Sequence, residues 1–459
     1  MARPRLSLAA AGIALVALTA GACATSSSPA ASTTDAAGST STIPELSADQ
    51  KVSIVFESYN LTSTGTWKPA IEGLLAEFQK EHPNITVKAQ PPQGASQTDI
   101  VGSIKNQALA GNPPDVAQVT FNALSFAATS LGAQPIDTLV GKDAVQANFE
   151  GDHPFAESAR TLGDVNGHTY AVPYVFSTPV LWYNASLFRQ AGLDPEKPPT
   201  TWAEVKTAAT AIKEKTGKGG VLIDCLTKSS GDWCFQSLVL SNGGRVLSED
   251  GTKLTFAESG AVGAVQMAAD LVKAGVSPNL SQAQAFETFG RGDLGMLLET
   301  SAVQGLFIQQ SQAGGWELRA AAEPGFGSKA AVPTNSGSGL TILSTDPAKQ
   351  RASWELIKFL TSDRAYTVIS SKIGYLPLRP SLVDDPATLK DWADKNPLIK
   401  PNLAQLTRLK PWVSFPGDDY QQIGDLMMTA VESAVYGGKD AKSTLAEAQR
   451  QANDLLPTK

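Results

Sequence analysis

Histidine and cysteine are scarce, with three of each in 459 residues. His82 precedes a proline and His168 falls in a turn, so neither suggests a metal ligand. The nucleophile-elbow pattern Gly-x-Ser-x-Gly is missing, and so is a phosphate-cradling P-loop. Basic charge is in deficit: 37 Lys and Arg against 44 Asp and Glu give a net charge of −7. That balance excludes a nucleic-acid binder and argues against electrostatic adhesion to an anionic membrane. The apolar run Leu6–Ala20 is too short to span a bilayer. Acidic residues are plentiful, so counting alone leaves open a carboxylate pair for glycoside hydrolysis. None of them stands in a recognisable catalytic context.

The N-terminus reads as an export signal, residues 1–22. Arg3 and Arg5 precede the apolar run, and the small residues Ala20-Gly-Ala22 precede Cys23. This resembles a bacterial lipobox, with Ala20 where a Leu is usual, and implies lipidation of Cys23. Residues 23–50, rich in Ala, Ser and Thr with Pro29 and Pro44, lack the apolar content to fold and read as a flexible tether. Folding is expected from Lys51. Strand, amphipathic helix and strand alternate over Val52–Phe56, Trp67–Lys80, Ile85–Ala89, Thr98–Ala110 and Asp115–Val119, which predicts βαβ units and a mainly parallel sheet.

Gly167–Val205 organises the rest. It is aromatic and β-branched up to Asn184 but broken by Pro173 and Pro179, so it cannot be one central strand. A short helix to Ala191 ends at Gly192, and Thr200 or Thr201 can cap the next. Two cysteines beyond Cys23, Cys225 and Cys234, suit a bridge in an exported chain and are wrongly spaced for a CxxC site. Arg291-Gly-Asp293 reads as a polar turn, and Gly325–Ala330, preceded by a proline, as a loop rather than a dinucleotide fingerprint. The small residues of Asn335–Gly339 would let backbone N–H groups approach a ligand.

Phe176-Ser-Thr-Pro-Val-Leu-Trp-Tyr-Asn184, then Ala191-Gly-Leu-Asp-Pro195, Thr201-Trp202 and the loop Gly374-Tyr-Leu-Pro377, resemble the extracellular solute-binding proteins of ABC importers. The carbohydrate-binding group is meant, nearest its glycerol-3-phosphate-binding members. The resemblance implies a two-lobed α/β fold of the periplasmic-binding-protein type, with lobe 1 from 51–175 plus 336–375. Lobe 2 would be 176–335 plus 376–459, with crossings near Phe176, Asn335 and Tyr375. It implies ligand contacts from Ser177, Trp233, Ser301, Gly337, Ser338 and Tyr375, with Trp233 stacking on the solute or else filling the lobe-2 core. The glycerol-3-phosphate members carry a Glu just after the third strand, where this chain has Phe121, and an Arg in the C-terminal stretch. Pro411–Gly417 has none, although Arg408 and Lys410 are near. The implied protein is a monomeric, lipid-anchored carrier outside the membrane that hands a sugar, a polyol phosphate or a glycerophosphodiester to a permease. It needs no metal, cofactor or nucleic acid. The competing expectations are a secreted glycoside hydrolase and a surface adhesion protein.

Overall fold

The computed structural model describes residues 41–62, 67–93, 99–228 and 231–457. The export signal, Cys23 and most of the tether lie outside the described residues. The strands in chain order are β1 (Val52–Glu57), β2 (Ile85–Gln90), β3 (Val116–Thr120), β4 (Asp164–Val165), β5 (His168–Thr169), β6 (Ala171–Ser177), β7 (Pro179–Asn184), β8 (Gly219–Ile223), β9 (Leu294–Thr300), β10 (Leu318–Ala322) and β11 (Ser336–Ile342).

They form two main sheets. The first has the order β2-β1-β3-β11-β6 and the second β10-β7-β9-β8, while β4 and β5 make a separate pair. The expectation of a mainly parallel sheet is corrected to mixed. β1 runs parallel to β2 and β3, and β8 to β9, but β11 enters antiparallel between β3 and β6. The reason lies in the chain path: β11 returns to the first sheet after the excursion through the second, so it is not joined to its neighbours by a right-handed crossover.

β6 and β7 are buried along their whole length and belong to different sheets, with Thr178 alone between them. Pro173 is tolerated because the β6–β11 register slips there: Val175 pairs Ser338, Pro173 pairs Gly339, and Tyr174 is left over. The helix Ala185–Gln190 starts on Asn184, whose Oδ1 accepts from Leu187 N at 3.0 Å. Thr201 and Glu204 close a capping box on the helix Trp202–Thr216, and Gly217 ends it at φ 70°.

Two expected boundaries move. Leu376, Leu378, Leu382, Leu389 and Ala393 lie in the core cluster of the first sheet, with Ile54, Val116 and Leu340. Leu376 N also donates to Phe176 O at 2.9 Å. The third crossing, expected near Tyr375, therefore comes later, through the helix Lys400–Gln405, whose Gln405 Nε2 reaches Pro179 O in the second sheet at 2.7 Å. Residues 41–46, expected to belong to the tether, pack on the first sheet instead. Ile43 is buried in the first sheet's core, and Thr42 N and Ile43 N donate to Leu139 O at 2.9 and 3.3 Å. Arg351, 6 % exposed, reaches over this segment: its guanidinium donates to Pro44 O, Ile43 O and Ser41 Oγ at 3.2, 3.0 and 3.1 Å. A composition scan misses this because one isoleucine among Ser and Thr carries no periodic signal.

Candidate functional site

The strand ends of the first sheet carry a buried polar cluster. Gln118 Nε2 and Tyr59 OH both donate to Ser338 Oγ, at 2.8 and 3.0 Å. Ser58 Oγ donates to Gln118 Oε1, and Tyr375 OH to Asn60 Oδ1 at 3.4 Å. Burial pushes the Tyr59 hydroxyl up to about 12 and the Tyr375 hydroxyl well above its ordinary range, so both are neutral donors at any physiological pH. This lies at the carboxyl ends of β1 and β3, where open α/β sheets bind ligands. Tyr59, Asn60 and Gln118 were not read from the sequence, since single polar residues after strands leave no pattern.

Five of the six expected contact residues converge here. Ser177 pairs with Ser336 and Phe176 with Gly337. Ser301 N donates to Thr178 O at 3.1 Å, and a Cβ on Gly374, beside Tyr375, would stand 3.4 Å from Ser301 O. Ser301 Oγ is buried without a hydrogen-bond partner. Gly337 has φ 129°, and a Cβ there would fall 2.0 Å from Val175 O, so only glycine fits. Trp233 is placed differently. It begins the helix Trp233–Ser241, is 6 % exposed and packs in a core cluster that draws on both bodies, with Ile104 and Val119 from the first and Leu181 and Leu298 from the second. Its carbonyl accepts from Thr334 Oγ1, just before β11. Its neighbours Gly231 and Asp232, not the indole, line the adjoining cavity.

That cavity, of about 520 Å³, lies between the two sheets' bodies. The first contributes Asp99, the cap of the helix Ile100–Leu109, and Lys105 on it, with Asn122 and Phe126; the second contributes Asp232 and residues between Val413 and Met428. Two contacts cross beside it: the Phe126 and Tyr420 rings, centroids 5.7 Å apart, and Ser130 Oγ donating to Asp418 Oδ1 at 2.9 Å. The Cys225 and Cys234 sulfurs are within bonding distance, with Cα atoms 5.2 Å apart, and brace the loop leading to Asp232.

The crossings meet in a second polar knot. Thr178 Oγ1 donates to Asn402 Oδ1 at 2.9 Å, Gln405 Nε2 donates to Thr178 Oγ1 at 3.1 Å, and Glu323 N donates to Gln405 Oε1 at 3.2 Å. Burial pushes the Glu323 carboxyl up to about 8, although Ser237 Oγ donates to it. Glu299 also sits well above its ordinary range, through burial and the neighbouring Asp224. Neither Glu299 nor Asp224 lines the cavity, so this carboxylate pair does not flank a cleft as glycoside hydrolysis requires. Arg291 is tied to Glu287 and Asp293 to Lys218, as expected of the polar turn Arg291-Gly-Asp293.

The family model of the bacterial extracellular solute-binding protein matches residues 62–367. The chain belongs to that family. A solute-binding relative, the sn-glycerol-3-phosphate-binding periplasmic protein UgpB of Brucella melitensis, is 28 % identical over 301 residues, 63 % of this chain and 68 % of that protein. The protein of the same name from Pectobacterium atrosepticum is 25 % identical over 404 residues, 84 % and 88 % of the two chains. Among solved structures, UgpB of Mycobacterium tuberculosis in complex with glycerophosphocholine superposes with a TM-score of 0.75 at 21 % identity, covering 88 % of this chain and 98 % of that one. Maltose-bound MalE3 of T. maritima gives 0.74 at 23 %, covering 88 % and 100 %. These likenesses give the two-lobed α/β fold of periplasmic binding proteins. No helix among the described residues is long and apolar enough to cross a membrane.

Proposed function

We propose that this chain is the capture component of an ABC-type importer: outside the membrane it encloses a carbohydrate or a glycerol-phosphate-like solute between its lobes and passes it to the permease unchanged. The observation that carries this is the cavity of about 520 Å³ lined from both bodies, by Asp99 and Phe126 on one side and by Asp232 and Tyr420 on the other. Capture requires the lobes to rotate about those crossings, so the bound solute shifts the equilibrium from open to closed. Ser177, Ser301, Gly337, Ser338 and Tyr375 stand at the strand ends and not among the residues that line the cavity, and would meet a solute that reaches past it. The unpartnered Ser301 hydroxyl and the closely approached Gly337 backbone support that role. Trp233, at the base of the lobe-2 wall, would act by holding Asp232 in place. The chain would not turn its solute over.

Lipidation at Cys23 would keep the carrier at the outer face of the membrane, as a monomer. A Cys225–Cys234 disulfide would form on export. The experiment is a melting-temperature screen of the purified protein against sugars, glycerol phosphates and glycerophosphodiesters, since a bound ligand stabilises by RT ln(1 + [L]/Kd). A saturable upward shift with the solute recovered intact supports capture. Conversion of the solute during incubation would move the protein to the hydrolase class.

A further inference from the structure

We propose that the cavity works as an anion filter: it takes a neutral polyhydroxyl solute, a saccharide or polyol, and rejects phosphate monoesters, with Asp99 and Asp418 setting that choice. The proposal rests on the solute-capture function above and narrows its ligand class.

The ionisable lining residues are Asp99, Asp232, Asp418 and Asp425 against Lys105 and Lys228. Lys228 is already paired with Asp425, Nζ to Oδ2 2.9 Å. Among the described residues, three carboxylates therefore face one remaining cation, and no arginine lines the space. Arginine is the side chain whose planar fork suits bidentate phosphate binding.

Helix N-termini are the other common anion sites. Two open on this cavity, and both are guarded by carboxylates. The helix Ile100–Leu109 has Asp99 as its cap, with Oδ1 accepting from Gly102 N at 2.8 Å, so its own side chain occupies the place an anion would take. The helix Tyr420–Val435 is preceded by Asp418 and Asp419. A phosphate dianion entering here would meet like charge at each point where the backbone could hold it.

The rest of the lining suits hydroxyl groups. Asp232, 8 % exposed, is fixed by Trp412 Nε1 and Gln236 Nε2 at 2.9 and 2.8 Å. Tyr420, 4 % exposed, lines the cavity and has a hydroxyl with no hydrogen-bond partner. Burial, with the Asp99 charge second, pushes that hydroxyl far above its ordinary range, so it is a neutral donor and acceptor awaiting a partner. The Phe126 and Phe415 rings supply apolar faces for the C–H side of a sugar, and carboxylates accept from its hydroxyls.

The test is calorimetry of the full chain with sn-glycerol-3-phosphate, inorganic phosphate, maltose and glycerophosphocholine, repeated for Asp418→Lys and Asp99→Asn. Asp418 is exposed and caps no helix, and Asp418→Lys gives up only the exposed bond from Ser130 Oγ, so the variant is expected to fold, which its melting temperature checks. The native chain is expected to show no saturable binding of either phosphate monoester below about 1 mM. Asp418→Lys should gain affinity for them by about tenfold or more, a gain that shrinks as salt is raised. Micromolar binding of sn-glycerol-3-phosphate by the native chain overturns the filter, as does a variant that gains nothing. Tight glycerophosphocholine binding that survives Asp418→Lys also overturns it. Failure of the capture function would look different: neither maltose nor any other sugar, polyol or glycerophosphodiester would bind, while the variant's gain for phosphate would still report on the filter.

Discussion

Replacing Arg351 by Met isolates the strap formed by residues 41–46. Met keeps much of the aliphatic stem's packing and removes the guanidinium. Three bonds are lost, to Pro44 O, Ile43 O and Ser41 Oγ, together with the contact to Glu45 at 3.0 Å. The Glu45 carboxylate is largely exposed, so its share is small. Bonds from a charged donor are worth about 1.5–3 kcal/mol each, but the strap can peel into water and recover part of that, so a net local loss of about 3 kcal/mol is expected. Ile43 burial resists the peeling by about 1.5–3 kcal/mol, which keeps the strap partly docked. Hydrogen exchange reads this directly, because Thr42 N and Ile43 N donate to Leu139 O. A loss of about 3 kcal/mol is a roughly hundredfold fall in protection at those two amides. Amides of β3 and β9 should be unchanged, and so should solute affinity. Unchanged exchange at Thr42 and Ile43 would refute the claim that Arg351 holds the segment. A global loss of protection would show that Arg351 supports the core instead.

Trp233→Ala should lower the melting temperature of the unliganded protein, at a cost of about 3–5 kcal/mol, because the indole is buried in a core cluster; full stability with lost binding would return it to the cleft. Gly337→Ala combines positive φ with a clash on Val175 O and should cost about 3 kcal/mol or more by chemical denaturation. Glu323 has its folded-state carboxyl raised to about 8 from 4.5, so the folded state holds a proton that the unfolded state has released. Stability should therefore be highest below about pH 4.5 for this group and fall as pH rises towards 8, and Glu323→Gln should flatten that slope in melting curves from pH 5 to 9. An identical slope in the variant would mean that the carboxyl does not titrate in that window.

Which features were legible follows from how each is encoded. The β6–β7 stretch announced itself through β-branched and aromatic residues interrupted by two prolines, and each proline sits where a sheet tolerates it: Pro173 at the register slip and Pro179 at the head of β7. Thr201 and Glu204 at capping-box spacing were equally plain. The buried polar cluster at the strand ends was half legible. Ser177, Ser301, Gly337 and Tyr375 stand in family motifs, whereas Tyr59, Asn60 and Gln118 are single polar residues whose meaning depends on Ser338, more than two hundred positions away. The third crossing was misplaced because Leu376, Leu378, Leu382 and Leu389 follow no helical or strand period; their burial is decided by the first sheet. Trp233 had two expected roles, stacking on the solute or filling the core, and it is buried at the start of its helix.

The central claim is capture by closure about the three crossings. It is tested most directly by small-angle X-ray scattering of the purified protein, alone and saturated with whichever screened solute raises its melting temperature most. The account predicts a smaller radius of gyration with solute and the same molecular mass, as lobes rotate together around Thr178, Gln405 and Glu323. Superimposable scattering curves at demonstrated saturation would contradict it.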